Sequence, residues 1–199
     1  MRYVDRYSRE GLREAYPELA SLPVVDPAIV DDGEKLTEVE PHSQDFVIAN
    51  HFIEHCADPI GTLKVFASKL RHGGVIYMAM PDKRFCFDQE RESATFAHLL
   101  ADHVDGGSAS RNAHFEEFAR FSHFRGKGTE EEVRRLTEKW LAADYSVHFH
   151  AWTFDEFRQF LLDTLAVCLP ELELVDAMLS IDEGLFVLRR HAKEPVEAA

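Results

Sequence analysis

The chain is poor in cysteine. Its three cysteines, Cys56, Cys86 and Cys168, form no CxxC pair, which excludes a disulfide scaffold or a zinc ribbon and suits a reducing compartment. Positive charge is also scarce, with 22 Lys and Arg against 36 Asp and Glu and a formal charge of −14. A surface of that sign repels phosphate backbones and anionic headgroups, so neither nucleic acid nor a membrane surface is an expected partner. No apolar run approaches the ~18 residues of a membrane span, and no charged-then-apolar leader opens the chain. A soluble, cytoplasmic protein is the expectation. Glycine is thin as well: none of the ten falls in a GxGxG turn. What is present is apolar material, 45% of 199 residues with 11% aromatic, enough for one substantial core. We expect a single domain over 1–192, with 193–199 as a frayed tail.

The segment 45–83 carries the clearest local signals. Phe46, Val47, Ile48 and Ala49 form an unbroken apolar run, the pattern of a strand covered on both faces. Asp58 is a good N-cap with Pro59 at the first helical position. Ile60, Leu63, Phe66, Ala67 and Leu70 then recur at helical spacing, which predicts a helix over about 59–72 closed by Gly73. Val75 to Met80 is a second apolar run, so a right-handed parallel crossover is expected. Before this unit, 2–5 and 23–30 read as extended segments flanking a helix capped by Ser8. After it, 88–147 is rich in charge, His and Phe, and reads as a helical insertion. Thr153 and Glu156 form a capping box, and 172–178 with 185–188 predict a terminal antiparallel hairpin. The class is α/β, with a Rossmann-like, mostly parallel sheet.

In open parallel sheets ligands sit beyond the carboxyl ends of the strands. Asp5, the turn Asp31, Asp32 and Gly33, and Asn50 with His51 occupy such ends. A carboxylate there can take both hydroxyls of a ribose, although ordinary turn residues have the same composition. Pro81, Asp82, Lys83 and Arg84 follow the next strand and can line the same cleft.

The order of these parts resembles a class I S-adenosylmethionine-dependent methyltransferase of the broad type 11 group. The resemblance rests on DFVIANHFIEH with its DP-capped helix, on LRHGGVIYMAMPD, and on HAWT before a late helix. It implies S-adenosylmethionine as cofactor and methyl transfer to a small-molecule acceptor. Asp5 would hold the cofactor ribose, Asp31, Asp32 and Gly33 would lie near the adenine, and Asn50 and His51 near the methionine part. His51 or His55 would be the base. One departure is large: the family's first strand and glycine-rich loop are missing, since Met1 stands only four residues before Asp5. That strand is central, so its loss would leave unpaired edges unless flanking strands close up, another chain or segment fills the gap, or the chain is a truncated form. A homo-oligomer or a missing N-terminal segment completing the sheet is the partner this implies. A non-catalytic methyltransferase-like binding module is the alternative reading.

His51, Glu54 and His55 also spell HxxEH, which on a continuous helix would suit a zinc hydrolase. The apolar strand running into His51 and the later cap at Asp58 argue against such a helix, so no structural zinc and no metal ligand is expected in the chain. The histidines of the insertion, His98, His103, His114 and His123, read as parts of a solvated helical pair with an aromatic core, or as a lid. His148, His150 and Trp152 are the better substrate candidates because they directly precede a capped helix.

Overall fold

The computed structural model describes residues 1–19 and 21–192; the predicted frayed tail lies outside the described residues. In chain order, β1 (Val4–Asp5), α1 (Arg9–Ala15) and β2 (Ile29–Val30) come first, then β3 (Gln44–Asn50), a 3-10 turn (Ile53–His55), α2 (Pro59–Lys69) and β4 (Leu70–Pro81). The insertion holds α3 (Phe96–Asp105), α4 (Arg111–Glu117), a π-helical turn (Phe118–His123) and α5 (Glu130–Ala142). α6 (Phe154–Val167), β5 (Leu172–Ser180) and β6 (Glu183–Arg190) complete the fold.

Local chemistry accounts for these elements. The Asp58 carboxylate accepts from the Gly61 amide and caps α2, whose face of Ile60, Leu63, Phe66 and Ala67 is buried against the sheet. Each of the larger side chains contributes about 1.5–3 kcal/mol on burial. Thr153 and Glu156 close the predicted capping box on α6. α2 ends at Lys69, short of the predicted 72, because Leu70 and Arg71 already lie in β4. Leu70 satisfies the helical stripe and the strand core alike, so periodicity alone could not separate them. Gly73, at φ 76°, lies in the irregular start of β4 and does not stop the helix.

The architecture is α/β and Rossmann-like, and it departs from the expected single sheet. β1 pairs in parallel with β2 alone, while the other four strands form a mixed sheet in the order β3-β4-β6-β5. β3 runs parallel to β4, and β6 is antiparallel to both β4 and β5. The flanking strands therefore do not close the gap. Between them runs a groove of about 300 Å³ lined by Met1, Tyr3, Val4, Ile29, Val47 and Asn50, among others. On the open side of β3, Phe46 is 42% and Ile48 50% exposed, although the sequence run predicts cover on both faces. Among the described residues β3 is thus an edge strand, paired with β4 alone.

Candidate functional site

His51 leaves β3 in the left-handed region, at φ 49°, a strained conformation for a residue other than glycine and one that tends to mark functional positions. Its Nε2 lies 2.9 Å from Oε2 of Glu183 at the start of β6. His51, Pro81, Phe85, Phe87, His148 and Glu183 are among the residues lining a cavity of about 320 Å³. It sits at the carboxyl ends of β3 and β4, where an α/β sheet is expected to receive a ligand.

His148 is the best-organised group there. Its Nδ1 is 2.6 Å from Oδ2 of Asp88. Asp88 is buried, and its other oxygen accepts from Ser122 Oγ at 2.6 Å and from Arg91 Nη1 at 3.2 Å. Burial pushes the Asp88 carboxyl up, but the His148 hydrogen bond and the Arg91 charge more than offset it and hold its pKa below the ordinary range. Asp88 is thus a carboxylate, Nδ1 carries the proton, and Nε2 is the basic nitrogen. Arg91, with 1% of its side chain exposed, also donates to the carbonyls of His148 and Phe149 at 2.8 Å. One guanidinium therefore fixes both the carboxylate and the backbone that carries the imidazole.

Beside this pair stand His55 and Glu54. The His55 ring meets His148 edge-on at 4.6 Å, and its Nδ1 is 3.0 Å from Ser146 Oγ. Burial, with a smaller contribution from His148, pushes the His55 pKa down to about 4, so the ring is neutral at neutral pH. Glu54 is 1% exposed with both carboxyl oxygens lacking a hydrogen bond, and burial raises its pKa to about 8. Since the folded state then holds a proton that the unfolded state has lost, Glu54 costs stability as pH rises from about 4.5 to about 8. Glu54→Gln should therefore raise the melting temperature at pH 8 more than at pH 5, with a gain on the order of a few kcal/mol at the higher pH. Thermal melts of both proteins across that range check it; a gain independent of pH would contradict it.

The residues named from sequence divide between two places. Asn50 and Gly33 line the groove beside β3, and His51, Pro81 and His148 line the cavity. Gly33 packs under Phe52, so closely that a Cβ would lie 2.7 Å from Cζ of the ring. Asp31 and Asp32 are largely occupied by their own turn: Asp31 accepts from Thr37 Oγ1 and the Glu38 amide, Asp32 from the Glu34 amide. Among the described residues the Asp5 carboxylate accepts only from the Tyr7 amide, at 2.9 Å, which leaves acceptor capacity at the end of β1. Several substrate candidates are buried or have polar atoms engaged within the fold. Asp82, 0% exposed, accepts from the Phe154 amide and from Arg84. Lys83 Nζ donates to the Arg91 carbonyl at 2.6 Å. Trp152 is buried in the main core and stacks on Phe160, and His150 is 1% exposed. Asp88, Arg91, Phe87 and Glu183 escaped the sequence reading; Asp88 and His148 are 60 positions apart, and nothing local signals their meeting.

Over residues 8–164 the sequence matches the family described as Methyltransferase domain. Among solved structures, an S-adenosylmethionine-dependent methyltransferase of Methanosarcina mazei is similar at 15% identity and a TM-score of 0.44, covering 96% of this chain and 81% of its own. A protein of Listeria monocytogenes described as S-adenosylmethionine dependent is similar at 12% identity and a TM-score of 0.49, covering 96% and 80%. The methyltransferase crystallised with the Trm112 activator of Haloferax volcanii is similar at 16% identity and a TM-score of 0.46, covering 94% and 70%. No curated protein matches the sequence. No helix among the described residues is long and apolar enough to cross a membrane.

Proposed function

We propose that this chain, which belongs to the methyltransferase-domain family, methylates a small-molecule acceptor held in the cavity beside His148. The observation that carries this reading is the buried Asp88–His148 pair facing that cavity. The family implies S-adenosylmethionine, which supplies a methyl group already activated on a sulfonium. Accordingly the protein needs chiefly to align the acceptor and take one proton. Asp88 holds the His148 tautomer, and Nε2 accepts the proton that the acceptor's hydroxyl, amine or thiol gives up. The rings of Phe85 and Phe87 shape the pocket, and neutral His55 packs edge-on against His148 behind it. A cavity of about 320 Å³ suits a small molecule, and the charge of −14 disfavours a nucleic acid.

The donor's own site is incomplete in the described residues. Asp5 has free acceptor capacity and Asn50 borders the groove, but no glycine turn with converging backbone amides stands between them, so no step is drawn through the donor. We further propose that the groove takes an extended segment joined ahead of Met1, alternating apolar side chains against Phe46 and Ile48 and ending in a glycine-rich turn. Met1 to Val4 line the groove, so a preceding segment would start at its mouth. A non-catalytic binding module is the second reading, favoured by the same open groove. Incubation with donor carrying a labelled methyl group and a fractionated cell extract tests the acceptor class. Label should enter the small-molecule fraction when the groove is filled; label confined to protein or nucleic acid would contradict the reading, and no transfer at all would favour the binding module.

A further inference from the structure

The helical insertion gathers a second polar cluster that the proposed reaction does not use. His98 and Asp102 stand one turn apart on α3, His114 comes from α4, and His150 from the stretch before α6. Asp102, His114 and His150 are 3%, 5% and 1% exposed, whereas the His98 side chain retains 38%. The Nε2 atoms of His98, His114 and His150 lie 3.2, 3.5 and 3.7 Å from one oxygen, Oδ2 of Asp102. Those of His98 and His114 face each other at 3.2 Å. One donor atom from each of the four residues falls within 4.8 Å of all the others.

Hydrogen bonding explains only part of this arrangement, the contact between His98 and His114. Among the described residues, Oδ2 of Asp102 and Nε2 of His150 have no hydrogen-bond partner although both are buried, and such groups are costly to leave unsatisfied. An ion holding four donors tetrahedrally, with bonds of about 2.0–2.1 Å, spaces those donors about 3.4 Å apart. The separations given above, 3.2 to 3.7 Å, bracket that value.

We propose that His98, Asp102, His114 and His150 form a tetrahedral site for a divalent transition-metal ion, with Zn²⁺ the ion that three imidazoles and one carboxylate fit best. Four protein ligands leave no open position, which makes the ion structural. The other oxygen of Asp102 accepts from Ser110 Oγ at 2.6 Å, the kind of outer contact that orients a ligating carboxylate. His98, the exposed member, gives the ion its route in. The ion ties α3 and α4 to the strand of residues that presents His148, and the amides of Phe149 and His150 in turn bond to the Glu54 carbonyl. The insertion, whose Phe118 ring packs against that of His148, is thereby pinned beside it. The expectation of no metal rests on the HxxEH residues His51, Glu54 and His55, none of which belongs to this cluster.

The test is metal analysis of the 199-residue chain purified without added zinc or chelator. Zinc should be present in equimolar amount, its removal with EDTA should lower the melting temperature, and added zinc should restore it. Cobalt(II) in its place should give the intense visible bands of a tetrahedral site, a readout that needs no variant. His98→Gln, at the exposed position, and Asp102→Asn should each weaken zinc binding at least about tenfold, while His72→Gln, elsewhere on the surface, should keep the zinc. A metal-free protein whose melting temperature and cobalt spectrum ignore the added ion would overturn the proposal. So would zinc held equally well by His98→Gln and Asp102→Asn.

Discussion

Replacing His148 with Gln is expected to lower turnover by about a hundredfold to ten-thousandfold, the usual contribution of a positioned proton acceptor. The effect should fall on kcat, with little change in KM, because Nε2 acts on the acceptor's proton and the remaining cavity residues still bind the acceptor. Asp88→Asn separates position from tautomer. The amide can keep the imidazole in place, but its NH₂ donates to Nδ1, which moves the ring proton to Nε2 and removes the basic nitrogen. Its loss should approach that of His148→Gln. Asp88→Asn also removes one of the two carboxylates that face the buried Arg91, leaving Glu117 at 2.9 Å, so part of its effect should appear as lower stability; thermal melts of the same samples separate the two. Rates are to be measured in a form that binds the donor. Full turnover in both variants would remove the pair from the reaction.

Donor affinity should show the second large effect. A glycine turn at the end of a central strand supplies backbone N–H donors and close approach to an anionic or polar ligand. Hydrogen bonds to a charged group contribute about 1.5–3 kcal/mol each, and each factor of ten in affinity corresponds to about 1.4 kcal/mol. Losing two such contacts therefore weakens binding by about a hundredfold to ten-thousandfold, enough to move a micromolar site to the millimolar range. What remains is Asp5, with one oxygen engaged by Tyr7, and Asn50 at the groove. Asp5→Ala should change little in the 199-residue chain, yet impair binding clearly once the groove is filled.

How far the sequence could be read follows from where each feature is written. β3, α2 and β4 were legible because apolar runs, the Asp58–Pro59 cap and the buried stripe all lie within one continuous stretch. The acceptor site was not. His148 stands out next to a capped helix, but Asp88, Arg91 and Ser122 reach it from distant positions by tertiary packing. The spacing of Phe115, Phe118 and Phe121 suggests one helix, yet the helix changes to a π turn at Phe118, which no spacing rule marks. The metal cluster left a single local trace, the four-residue step from His98 to Asp102 on one face of α3. Its other two ligands are meaningless until α4 and the residues before α6 close around them.

The proposed donor site needs the groove between β1 and β3 to be filled. Isothermal titration with S-adenosylhomocysteine measures this most directly, comparing the 199-residue chain with the same chain extended at Met1 by an apolar strand and a glycine-rich turn. The prediction is millimolar or undetectable binding to the first and micromolar binding to the second, the latter lost on Asp5→Ala. Low-micromolar binding to the 199-residue chain, abolished by Asp5→Ala, would contradict it, since a complete donor site would then exist with the groove open.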